Sequence, residues 1–118
     1  MNEAGTRAFA VHCGSSGGVK IWDYTSGAWD TSASGTYNII PGSTVGAEQP
    51  CIDCNKTGDV VVITGGHGTN KVWIYRLSGG SWSKDTDFDI TKPVATISGD
   101  GTRCLMGSWT NYKVWESN

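Results

Sequence analysis

Trp22-Asp23-Tyr24-Thr25-Ser26-Gly27-Ala28-Trp29 and Tyr75-Arg76-Leu77-Ser78-Gly79-Gly80-Ser81-Trp82 read as one hairpin written twice. Each opens on an aromatic residue, passes through a Gly turn and closes on tryptophan. The two copies lie 53 residues apart, and so do Gly5 and Gly58, Val19 and Val72, Gly27 and Gly80, and Trp29 and Trp82. A constant offset with no gap marks an internal duplication.

Working outward, each hairpin is preceded by a Gly-containing turn and a short apolar run. The turns are Glu3-Ala4-Gly5-Thr6, Lys56-Thr57-Gly58-Asp59 and Gly99-Asp100-Gly101-Thr102. They lead into Ala8-Phe9-Ala10-Val11, Val60-Val61-Val62-Ile63 and Cys104-Leu105-Met106. Glycine supplies the positive φ that a bulged hairpin turn requires. A second strand then follows each run: Val19-Lys20-Ile21-Trp22, Val72-Trp73-Ile74-Tyr75 and Tyr112-Lys113-Val114-Trp115. The third copy is tighter, with Gly58 to Gly101 a step of 43 and Tyr75 to Trp115 a step of 40. Return strands are expected at Cys51 to Cys54 and Val94 to Ile97, each behind a proline, Pro50 and Pro93. Proline is tolerated at a strand start because no donor inside the ladder is lost. No stretch holds helical periodicity for three turns, so the chain is expected to be all-β.

Four antiparallel strands in a unit of roughly 40–50 residues describe the blade of a β-propeller. With strands named a to d outward from a propeller axis, the chain reads b-c-d, a-b-c-d, a-b-c. That is a single repeat domain, 1–118, of about ten strands and 2.5 to 3 blades: a partial unit at 1–44, a full one at 45–92 and a partial one at 93–118. Closed propellers hold about four to eight blades. Three alone would expose apolar faces and strand edges. Completion by a homo-oligomer, with strands exchanged at the seams, is therefore expected; the rival is a flattened, non-propeller packing of a monomer.

The segment Ile97-Ser98-Gly99-Asp100-Gly101-Thr102-Arg103-Cys104-Leu105-Met106-Gly107-Ser108-Trp109, with Tyr112-Lys113-Val114-Trp115-Glu116 after it, resembles a WD-repeat blade. Gly18-Val19-Lys20-Ile21-Trp22-Asp23 does too, and carries the Trp-Asp ending itself. The Ser-Gly-x-Trp hairpins are similar to the FG-GAP type of propeller repeat. Either resemblance implies a propeller fold whose rim loops bind ligands. A Gly66-His67 pair is present, but in a turn between two strands.

Nine basic against eleven acidic side chains give a net charge of −2. This is no footprint for nucleic acid or an anionic membrane surface. No apolar run reaches the length of a membrane span. Residues Met1 to Arg7 lack the layout of a signal peptide, which points to a cytoplasmic, reducing setting with free thiols at Cys13, Cys51, Cys54 and Cys104.

Candidate sites divide into aromatic, acidic and thiol groups. Trp22, Tyr75 and Trp115 share a repeat position and are expected in the core between blades. Trp29, Trp82 and Trp109 follow turns, where an indole could stack on a sugar or anchor a protein; closing the hairpin is the competing role for Trp29 and Trp82. Asp85, Asp87 and Asp89 alternate, which on a strand places all three on one face about 7 Å apart. A solvated face is the preferred reading, and Ca²⁺ ligation the lesser one. Cys51 and Cys54 have chelate spacing, yet a strand turns them to opposite faces; His12, Cys13, His67 and Cys104 are scattered. No nucleophile elbow, phosphate loop or paired glutamate suggests catalysis, and no cofactor is implied. The expected function is a non-catalytic binding or scaffold module for a protein or glycan. The alternatives are a structural assembly subunit, such as part of a viral or surface particle, and a propeller-frame hydrolase or lyase.

Overall fold

The computed structural model describes residues 1–14, 17–39, 41, 45–46, 50–65 and 69–118. Among these the chain is all-β: no helix is present, so none is long and apolar enough to cross a membrane. The described residues form eleven strands in three antiparallel sheets. The first sheet contains β1 (Arg7–His12), β2 (Gly18–Thr25), β3 (Ala28–Trp29) and β4 (Tyr37–Ile39), with β1, β3 and β4 all paired to β2. The second runs in order through β5 (Ile52–Cys54), β6 (Val60–Thr64), β7 (Lys71–Ser78) and β8 (Ser81–Asp89). The third holds β9 (Val94–Ile97), β10 (Arg103–Gly107) and β11 (Tyr112–Glu116). The strand count exceeds the expected ten because the last strand of the first sheet is split. Asp30 accepts from the Ser32 amide and the Thr36 hydroxyl, and the chain turns there between β3 and β4.

The duplicated positions hold equivalent places within their sheets. Tyr24 faces Trp29 across the β2–β3 ladder as Leu77 faces Trp82 across β7–β8. Ala8 opposes Trp22, Val61 opposes Tyr75, and Cys104 opposes Trp115.

Two apolar clusters join the sheets. The first takes Val19, Ile21 and Ile39 from the first sheet, and Val61, Ile63, Trp73 and Tyr75 from the second. Phe9, Val11 and Trp82 pack at its margin. The second takes Val60, Val62, Val72 and Ile74 from the second sheet with Ile97, Cys104 and Met106 from the third. Alternate residues of β6 and β7 thus point to opposite clusters, so the middle sheet is covered on both faces. Its near-continuous run Val60-Val61-Val62-Ile63 is what that environment demands. Burying each such Val or Ile contributes on the order of 1.5–3 kcal/mol.

A polar device repeats in the turns that lead into β1, β6 and β10, and the sequence reading did not single it out. Asn2 Oδ1 accepts from the amides of Thr6 and Arg7 at 2.9 Å each. Asn55 Oδ1 accepts from Asp59 and Val60 at 3.0 and 2.9 Å, and Ser98 Oγ accepts from Arg103 at 2.9 Å. The turns also stack on one another. The Glu3 amide donates to the Lys56 carbonyl at 3.1 Å, and the Lys56 amide donates to the Gly99 carbonyl at 2.9 Å. Gly58 and Gly101 adopt φ of +75° and +73°. A Cβ on Gly58 would lie 2.9 Å from the Asn2 Cβ, and one on Gly101 would lie 2.8 Å from Val60 Cγ2. Glycine is needed there both for its conformation and for the close approach of the preceding sheet.

Candidate binding surface

The third sheet is covered on one face only among the described residues. Because side chains alternate, Cys104 and Met106 turn inward while Leu105 turns out, opposite Thr96 on β9 and Val114 on β11. Val94 and Tyr112 flank Gly107 in the neighbouring row. Gly107 carries no side chain, which leaves a trough between them. Trp109 follows in the β10–β11 turn. Exposure across Leu105, Val114, Val94, Tyr112 and Trp109 runs from 53% at Leu105 to 97% at Trp109. A cleft of about 670 Å³ opens on this face, lined by Lys92, Val94, Leu105, Trp109 and Tyr112 among others. Isolated exposed apolar residues are ordinary, but a contiguous patch of five large ones marks an interaction surface.

Arg103 and Glu116 border the patch as an ion pair of 2.9 Å, with side-chain exposures of 70% and 65%. The same ladder position in the first sheet holds Arg7 and Asp23. There the guanidinium grips the carboxylate through two nitrogens, Nη2 to Oδ2 at 2.7 Å, and the exposures fall to 16% and 14%. Hydrogen bonding to Asp23 raises the Arg7 pKa against the cost of burial. The Arg7 pair is shielded by the adjoining sheet; the Arg103 pair has no such neighbour among the described residues.

The outer face of the first sheet is built differently. Ala8, Ala10, Lys20, Trp22 and Tyr24 alternate with the inward set, and His12 and Asn38 approach each other at 3.5 Å. Trp22 is half-buried, and its Nε1 donates to the Ser32 carbonyl at 2.9 Å. Tyr24 and Trp29 form an edge-on aromatic pair with ring centroids 5.5 Å apart. This corrects the expectation that Trp22, Tyr75 and Trp115 all lie in the core. Tyr75 is buried in the first cluster and Trp115 packs on the second. Trp22 holds the same ladder position on a face that no described sheet covers.

The other proposed sites also separate. Trp82 is not a free loop indole: its ring lies edge-on to Phe9 and Tyr37, each at 6.4 Å, and closes the first cluster. Trp29 remains partly open, and Trp109 is open on the apolar face. The three therefore do not form a repeated set of pockets. Asp85, Asp87 and Asp89 do not share a face. The register passes from Ile74 opposite Thr86 to Tyr75 opposite Lys84, so Asp85 is an unopposed bulge residue. Such a bulge shifts the alternation by one. Asp85 pairs with Arg76 at 2.9 Å, Asp87 with Lys84 at 2.6 Å, and Asp89 with Lys71 at 2.8 Å. The Asp87 pKa is lowered, mainly by the hydrogen bond from Lys84. Lys71 also reaches Asp87 at 3.4 Å, so every carboxylate is engaged by a lysine or arginine while Asp85 lies apart, and the three form no shared oxygen cage for calcium.

The four cysteines are free. Cys51 accepts from the Thr64 hydroxyl, whereas Cys54 lies opposite Val61 on the other side of the sheet, so the pair cannot chelate one ion. Burial pushes the Cys104 thiol up to about 11 and raises that of Cys54. Neither is poised as a nucleophile. No group of three metal-ligating side chains converges among the described residues. Gly66 and His67 lie outside the described residues. Neither the family models nor the curated proteins compared with the chain give a match.

Proposed function

We propose that this chain is a non-catalytic binding and assembly module whose three sheets are propeller-type blades, and that it engages a protein partner through the outer face of the third sheet. The observation that carries the reading is the contiguous apolar surface of Val94, Leu105, Trp109, Tyr112 and Val114 beside the Arg103–Glu116 pair. An apolar centre with aromatic anchors and a charged margin is the anatomy of a protein interface. The blade reading is supported by three meandering sheets in which the duplicated residues recur at the same ladder positions.

Hydroxyl-radical footprinting tests it. Leu105, Trp109 and Tyr112 are oxidised quickly while the face is bare and are protected when it is occupied. Protection is expected at high concentration of the chain itself or with a protein ligand. Equal reactivity of these residues in every such mixture overturns the reading. A glycan is the second reading, favoured by the open Trp109 and Tyr112 rings; protection by oligosaccharides alone would select it.

A further inference from the structure

We infer that the occupant of the third-sheet face is the outer face of the first sheet of a second copy, joined head to tail so that two chains close a ring of six sheets. This rests on the reading of that face as a binding surface and names its partner. The chain contains the same junction twice. In each, one face of a sheet is covered by the opposite face of the sheet that follows, with the same ladder positions in contact.

Three separate contacts define the junction. The first is apolar: Val60 and Val62 meet Cys104 and Met106 in the second cluster. By the 43-residue step, Leu105 is the counterpart of Val62. By the 53-residue step, Ala8 and Ala10 are the counterparts of Val61 and Ile63. The large exposed side chains of the third sheet would thus meet the small Ala8 and Ala10, with Trp22 beside them.

The second contact is an arginine reaching the glycine turn of the following sheet. Arg7 Nη1 donates to the Gly58 carbonyl at 2.9 Å, and Arg76 Nη2 lies 3.5 Å from the Gly101 carbonyl. Arg7 and Arg76 belong to the same cross-strand pair of their sheets, Arg7 with Asp23 and Val60 with Arg76. The third sheet repeats that pair as Arg103 with Glu116. Among the described residues its guanidinium reaches no glycine turn, and Gly5 lies in a turn of this type that no arginine reaches there.

The third contact is the backbone stack. Glu3 donates to Lys56 and Lys56 to Gly99. The next step of the series is the Gly99 amide to the Glu3 carbonyl of the second copy. Gly5 keeps φ of +67°, yet a Cβ there would meet nothing closer than Met1 Sδ at 3.8 Å. Its counterparts Gly58 and Gly101 are pressed by the preceding sheet. Gly5 has the geometry of a junction without its neighbour.

Two copies of these three sheets make six, within the about four to eight with which propellers close. A head-to-tail contact that failed to close would grow filaments instead.

The experiment is sedimentation of the full chain and of two surface variants, Leu105→Lys on the third sheet and Ala10→Arg on the first, each checked by near-ultraviolet circular dichroism. The wild type is expected at twice the mass of one chain. Each variant alone is expected as a monomer, because each carries one blocked end. An equimolar mixture at high concentration is expected to form a 1:1 pair through the two unblocked ends. Arg103→Ala is expected to weaken the wild-type dimer by about tenfold per junction, the loss of a charge-assisted hydrogen bond. A monomeric wild type overturns the second copy as partner while leaving the binding face to the footprinting result. An Ala10→Arg variant that dimerises alone, or a mixture that stays monomeric, overturns the head-to-tail arrangement.

Discussion

Replacing Asn55 by alanine should cost about 2–4 kcal/mol of stability. The side chain is 3% exposed and sits in the turn before β6. Its Oδ1 holds the Asp59 and Val60 amides at 3.0 and 2.9 Å. Its Nδ2 donates to Asp59 Oδ1 at 2.7 Å and Thr57 Oγ1 at 3.0 Å. Alanine orphans two amide donors. A buried donor left without an acceptor costs about 1–3 kcal/mol. The Val60 amide takes that cost in full, while the Asp59 amide is partly solvated and takes less. The third sheet supplies the control. Ser98 stands at the equivalent place and its hydroxyl accepts from Arg103, the counterpart of Val60. Asn55→Ser should therefore retain the more valuable bond and fall midway between wild type and alanine. Urea titration measures both, with the midpoint moving and the slope constant if the denatured state is unchanged. An alanine variant within 0.5 kcal/mol of wild type, or a serine variant as damaged as alanine, would refute the role given to this side chain.

Two tryptophans at matching hairpin positions should respond differently. Trp82→Ala removes the ring packed on Phe9 and Tyr37 and should cost about 3–5 kcal/mol, whereas Trp29→Ala loses one exposed aromatic pair and should cost about 1 kcal/mol, both read by denaturation. Asp100 is held at about 2, first by the Ser98 hydroxyl and then by the Thr102 amide and hydroxyl. Because its folded pKa lies below the usual carboxylate value near 3.9, its contribution is present above that value and is lost as pH falls from about 4 toward 2. Asp100→Asn should accordingly flatten the acid limb of the stability profile in that window, seen as thermal midpoints measured across it. Thiol titration should find Cys13 reacting at once and Cys104 reacting only as fast as the chain unfolds, since Cys104 is fully buried with its pKa raised to about 11. Fast labelling of Cys104 in the native protein would show that the second cluster opens locally.

The repeat and most strand positions were legible from residue spacing. Period-two alternation, glycine at positive φ and a constant step of 53 residues are local properties, and Trp22 and Tyr75, or Trp29 and Trp82, do hold equivalent ladder positions. The repeated Asn2, Asn55 and Ser98 anchors were also within reach of that step, since all three stand at one place in the unit and all can accept a hydrogen bond. Which face of a sheet another sheet covers is a different kind of fact. It depends on neighbours far away in the chain, so Tyr75 is buried while Trp22 is not, and Trp82 packs inward while Trp29 stays open. The bulge at Asp85 belongs to the same class. One extra residue is invisible in a pattern of alternating charges, yet it parts Asp85, paired with Arg76, from Asp87 and Asp89, which share Lys71. Alternation along a strand comes from the covalent backbone and survives in any context. Burial comes from packing, which exists only once the sheets have met.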